Sequence, residues 1–148
     1  IDRNVWISPQ DDDASERAEG NKPTELRILN VSIEVKTWVD VYLNFLKFII
    51  DNQPSNLSII IENQQELFGK NDAIIKWPDL KEKGENNKEF LTRYKTLDNK
   101  TYDKIDNLND DTLFFHTNMS ANTCMLRISN IMNKFYLDSD SVKIKLKK

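Results

Sequence analysis

Cysteine and histidine each occur once in this 148-residue chain, at Cys124 and His116, and the only glycines are Gly20, Gly69 and Gly84. A lone thiol excludes an intrachain disulfide and a thiolate zinc site built from this chain by itself. It fits a reducing compartment, so a cytoplasmic location is expected. Three scattered glycines cannot form a Gly-rich phosphate loop. No His, Asp or Glu stands at ligand spacing around His116, so neither a metal site nor a cofactor is expected, and a strand histidine with a structural hydrogen bond is its simpler role. No apolar run approaches the ~18 residues that span a bilayer, and no charged segment leads into an apolar one as in a signal peptide. No membrane partner is expected.

What is present is ordinary globular usage, 39% hydrophobic and 30% charged residues with a net charge of −3. At this length folding buries roughly 70% of the surface that the unfolded chain exposes, enough for a real core. The net charge argues against a uniformly basic nucleic-acid coat, but its average hides two ends of opposite sign. Residues 1–22 hold Asp2, Asp11, Asp12, Asp13, Glu16 and Glu19 without sustained periodicity and are expected to be an acidic linker or flexible arm. The start at Ile1 rather than Met points to an excised or processed piece of a larger parent protein. Residues 23–148 are then expected to form a single α+β domain. Its far end is basic, with Arg127, Lys134, Lys143, Lys145, Lys147 and Lys148. Four Asn-x-Ser/Thr triplets begin at Asn30, Asn56, Asn99 and Asn118, and in a chain this rich in Asn and Ser their simplest origin is chance.

Leu26 and Ile28, then Val31, Ile33 and Val35, alternate with polar residues around Leu29-Asn30, the pattern of a β-hairpin. Thr37-Trp38-Val39-Asp40 reads as a capping box, with the Thr hydroxyl accepting from the Asp40 amide and the Asp carboxylate reaching back to the cap amide. A core helix should follow, with Trp38, Val41, Tyr42, Phe45, Phe48 and Ile49 on one stripe, ending before Pro54. Residues 56–68, closed by Gly69, fit a second helix, although Ile59-Ile60-Ile61 also suits a strand. A short strand at 73–77 stops at Pro78. Residues 81–88 and 97–111 read as polar loops, with a turn of helix or a strand around Phe90, Leu91 and Tyr94. The chain closes with a β-α-β pattern: a strand at 112–117, a helix at 121–137 started by Asn118-Met119-Ser120, and a strand at 141–147.

The last helix places Ala121, Met125, Ile128, Ile131, Met132 and Phe135 on an apolar stripe, and Thr123, Arg127, Asn130 and Lys134 on another face. Arg, Asn and Lys at such spacing suit phosphates and base edges, and equally suit a solvated helix face. Lys143, Lys145 and Lys147 share one side of the last strand, where they either grip phosphates or protect an edge strand from aggregation. Trp6, Trp38 and Trp77 are candidates for an aromatic cage around a flipped or modified base; Trp77 is the better candidate for an exposed stacking residue, while Trp38 is most simply core. Cys124, beside the buried stripe, is expected to be a packed thiol. Glu34 and Lys36 have the Glu-x-Lys spacing of a Mg²⁺-dependent nuclease, but the upstream Asp is missing and Glu25 is the nearest carboxylate. No catalytic residue is assigned.

The strand pair from Leu26 into Glu34-Val35-Lys36-Thr37-Trp38, and Phe115-His116-Thr117-Asn118-Met119-Ser120-Ala121-Asn122 running into the last helix, together resemble a small module at the C-terminus of bacterial restriction and phage-defence proteins. Larger members carry a ParB-like nuclease domain and sometimes an HNH domain. The resemblance implies an accessory domain that binds DNA or positions its parent nuclease. No HNH histidine pair or ParB-like motif stands here, so it implies no catalytic residue in this chain. The alternatives are a protein-interaction or dimerisation module, expected to expose an apolar patch on residues 56–68, and a Mg²⁺-dependent nuclease using Glu34 and Lys36.

Overall fold

A computed structural model describes residues 6–53, 55–69, 74–76, 102–106, 112–116 and 119–147, in an α+β architecture. The expected loop at 81–88, the segment around Phe90, Leu91 and Tyr94, and Trp77 and Lys148 lie outside the described residues. The chain divides into two compact units, residues 1–48 with 119–148, and residues 49–118. The single domain expected from residue 23 onward therefore gives way to two units, the first of which reaches back to the N-terminal segment.

The first unit is built on a four-stranded antiparallel sheet in the order β1-β7-β2-β3, with β1 at Trp6–Ile7, β2 at Pro23–Ile28, β3 at Val31–Glu34 and β7 at Val142–Leu146. The hairpin is found as expected, with Ile28 opposite Val31 across the Leu29-Asn30 turn. Leu29 sits at a φ of 53°, a left-handed conformation that costs an L-residue roughly 1–2 kcal/mol. Its amide donates to the Ser141 carbonyl at 2.8 Å, so the turn is tied to the start of β7. Alternation then sorts the strands: Leu26, Ile28, Val142, Ile144 and Leu146 are buried, while Arg27, Lys145 and Glu34 are exposed.

Residues 6–22 are not a linker. Trp6 and Ile7 pair with Lys145 and Ile144, helix α1 (Ala14–Ala18) packs against the last helix, and Ile7, Ala14 and Ala18 are buried. The Ser8 hydroxyl donates to the Ser139 carbonyl at 2.7 Å, and Gln10 Nε2 donates to Asn133 Oδ1 at 2.8 Å. The acidic composition misled because the charged residues Asp12, Asp13, Glu16 and Glu19 turn outward, while the few small and apolar ones carry the packing. A strand of two residues and a helix of five are too short to leave a periodic trace.

Helix α2 (Trp38–Asn52) begins at the expected cap, with the Asp40 amide donating to Thr37 Oγ1 at 3.1 Å. The Asp40 carboxylate accepts from the Lys36 amide at 3.0 Å, one residue earlier than the reciprocal capping bond requires. Val41, Tyr42, Phe45 and Leu46 are buried. The last helix, α5 (Ala121–Lys134), is capped by the Ser120 hydroxyl, which accepts from the Thr123 amide at 3.2 Å. It stops at Lys134 rather than 137, where Tyr136 enters the left-handed region at φ 57°.

In the second unit, residues 55–68 are helical rather than strand. They form α3 (Ser55–Glu62) and α4 (Gln64–Phe68), closed by Gly69 at φ 74°, where only glycine avoids a Cβ penalty. The exposed apolar patch expected there is absent, because Leu57, Ile60, Leu67 and Phe68 are buried. A three-stranded antiparallel sheet has the order β4-β6-β5, with β4 at Ile74–Lys76, β5 at Tyr102–Asp106 and β6 at Thr112–His116. The strand β5 falls inside the expected polar loop 97–111; Tyr102-Asp103-Lys104-Ile105 has the weak alternation of a strand too polar to stand out. Buried Gln64 accepts from the Ile74 amide at 2.9 Å and donates to its carbonyl at 3.3 Å, so its side chain serves β4 as a strand neighbour would. The strand–helix–strand order at the C-terminus is present, but β6 and β7 belong to different sheets.

Candidate nucleic-acid interface

Strand β7 lies between β1 and β2, not at an edge. Its lysines therefore have no edge to protect, and the alternation that buries Val142, Ile144 and Leu146 sends Lys143, Lys145 and Lys147 to the solvent side. Lys145 stands opposite Trp6 on one flank and Glu25 on the other. One row across the outer face thus reads Trp6, Lys145, Glu25, Glu34, and the next reads Lys143, Arg27, Ser32.

The side chains within these rows interact. The Arg27 guanidinium lies over the Trp6 ring with its carbon 4.7 Å from the centroid, and Lys145 Nζ lies 5.9 Å from the same centroid. Two cations within about 6 Å of an indole are in range of its quadrupole, each contributing about 0.5–1 kcal/mol at an exposed site. Arg27 also pairs with Glu25 at 3.3 Å, and Lys143 with Asp140 at 3.3 Å. These exposed pairs contribute little to stability but hold the long side chains over the sheet. The Arg17 guanidinium donates to the Trp6 carbonyl at 3.2 Å and anchors the short strand that carries the ring. The result is a half-buried indole among cations on the solvent face of a rigid sheet.

The polar face expected on α5 is not assembled as one surface. Arg127 is only 6% exposed, with its guanidinium 5.7 Å from the Tyr42 ring centroid. The reason is helical geometry: Arg127 is three residues after Cys124 and four before Ile131, both fully buried, so it stands on the inward arc. Thr123 is engaged at the cap, its hydroxyl 3.2 Å from Ser120 Oγ. Asn130 and Lys134 are half-buried. Burial pushes the Tyr42 phenol up, against the pull of nearby Arg127. It also pushes the Cys124 thiol up to about 12, and Cys124 is the packed thiol expected, donating to the Trp38 carbonyl at 3.4 Å.

Glu34 ends β3 directly opposite Glu25, while Lys36 lies past the strand end, where its amide is taken by Asp40. Among the described residues, no group of three or more His, Cys, Asp or Glu side chains is placed to hold a metal ion. Among the described residues, no helix is long and apolar enough to cross a membrane. Sequence reasoning found Lys143, Lys145 and Lys147 and counted Trp6 among three candidate cage tryptophans, but it preferred Trp77 for stacking and missed Arg27. The available signal for Arg27 was the alternation of β2, which puts Glu25 and Arg27 on the wet side; the pairing of Trp6 with Lys145 left none, because its strand is two residues long. No protein-family model, curated protein or solved structure matches the chain.

Proposed function

We propose that this chain is a non-catalytic, nucleic-acid-binding accessory module of a larger cytoplasmic DNA-targeting protein, and that it binds through the outer face of the four-stranded sheet. The observation that carries this reading is Trp6 flanked by Arg27 and Lys145, with Lys143 and Lys147 on the same side of the sheet. An aromatic face beside cations suits a nucleic acid, since a base stacks on the indole while ammonium and guanidinium groups neutralise phosphate. Placement in a restriction or phage-defence protein is supported by the resemblance of residues 26–38 and 115–122 alone.

The test is fluorescence anisotropy with single-stranded, plain duplex and modified duplex DNA at 50 and 200 mM salt. If Lys143, Lys145 and Lys147 each neutralise one phosphate of a duplex, affinity falls roughly 40-fold across that range. Trp6→Ala should weaken single-strand binding about tenfold through lost stacking. Binding to none of the three at either salt concentration would exclude the reading.

A further inference from the structure

We infer that the free edge of β3 accepts an extended, basic peptide segment of a partner protein, which adds as a fifth strand to the four-stranded sheet. Among the described residues, β3 ends the strand order. The Val35 amide donates to the Thr24 carbonyl at 3.2 Å, so the amides of Val35, Ile33 and Val31 point toward β2. By the two-residue period of a strand, the N–H and C=O groups of Ser32 and Glu34 point outward, the template that strand addition uses. Val31–Glu34 holds no lysine, proline or glycine, and its one charge, Glu34, repels an acidic strand but not a basic one.

Charge and shape specify the occupant. In the row Trp6, Lys145, Glu25, Glu34, the carboxylate of Glu25 has Arg27 at 3.3 Å and Lys145 opposite it. Glu34 makes no ion pair among the described residues, and faces a like charge in Glu25. A lysine or arginine opposite Glu34 on an added strand relieves that juxtaposition. On the other side of the strand Ile33 is half-buried and Val31 is 43% exposed, so the neighbouring positions of the added strand are apolar. An open groove of about 480 Å³, lined by Thr24, Glu25, Ser32, Ile33, Glu34 and Lys145, lies over the face of β7, β2 and β3 beside this edge, so a long basic side chain opposite Glu34 can reach across toward Glu25. The acidic edge repels the phosphates that the Trp6 side attracts, so the two ligands differ in chemistry and this inference stands without the nucleic-acid reading.

The experiment titrates the whole chain into a fluorescein-labelled six-residue peptide alternating lysine and valine, blocked at both ends, with a glutamate–valine peptide as control. Saturable binding of the basic peptide and at least tenfold weaker binding of the acidic one are expected. Glu34→Lys should lower the affinity at least tenfold through charge. Ser32→Pro should do the same through loss of an outward amide that β2 does not use, with circular dichroism of both variants unchanged. Equal binding of both peptides, no saturation, or full affinity in the Glu34→Lys variant would overturn the inference. So would a dimer in sedimentation that Glu34→Lys abolishes, since the edge would then belong to a second copy.

Discussion

The last strand and the last helix both carry basic residues, and the fold sends them in opposite directions. On β7 successive residues leave the sheet on opposite faces, so lysine at every second position costs nothing in burial. On α5 the buried arc takes Cys124, Met125, Ile128, Ile131 and Met132, and it is wide enough to draw in Arg127. A strand has two faces with a sharp boundary, whereas a helix has a continuous circumference on which a residue at the margin can go either way. Arg127 goes inward because its stem packs while its guanidinium lies over Tyr42.

The contrast can be broken at several points. The largest expected effect comes from deleting residues 1–22, which removes β1 from beside the lysine strand together with buried Ile7, Ala14 and Ala18. Loss of an isoleucine-sized core contact alone costs about 2–5 kcal/mol, so the truncated chain should lose at least about 4 kcal/mol in urea denaturation. A flexible arm would leave the midpoint unchanged. Next, Arg127→Ala should cost about 3 kcal/mol, because it empties a packed position and strands the groups that faced the guanidinium. Lys145→Ala should cost no more than about 1 kcal/mol, the loss of its contact with Trp6. Equal costs for these two substitutions would erase the distinction between helix and strand.

A third effect is pH dependence. The Cys124 thiol is raised by burial to about 12 from an ordinary value of 9.0, so the folded state holds its proton more tightly than the unfolded chain does. Its contribution is fully present below pH 9 and is lost as pH rises through the window from 9 to about 12, at about 1.4 kcal/mol per pH unit. Tyr42 acts in the same direction at still higher pH. Denaturation midpoints of the wild type should fall from pH 9 to 11 more steeply than those of Cys124→Ala, and parallel curves would refute the assignment. The smallest effect concerns the turn that ties β2 to the start of β7: Leu29, 54% exposed at positive φ, should gain about 0.5–1 kcal/mol in thermal unfolding when changed to Asn, which tolerates that conformation.

Much of the fold was legible locally. The hairpin around Leu29-Asn30, the Thr37 cap and the Ser120 cap follow from interactions spanning four residues or fewer, and such patterns survive whatever surrounds them. The same holds for the Gly69 terminus and the two faces of β7. The candidate site was half legible for the same reason: three lysines on one side of a strand can be counted, but their aromatic neighbour sits about 140 positions earlier, in a segment whose acidity suggested disorder.

The amino-acid order by itself determined the helices α2 and α5, the hairpin, and which side of β7 is charged, because periodicity and capping are short-range. Only the tertiary structure decided that β7 is flanked on both sides, that β6 and β7 enter different sheets, that Trp6 meets Arg27 and Lys145, and that Arg127 is buried. These outcomes depend on which distant segments bury one another's apolar faces, and burial is a property of the assembled core rather than of any window of sequence.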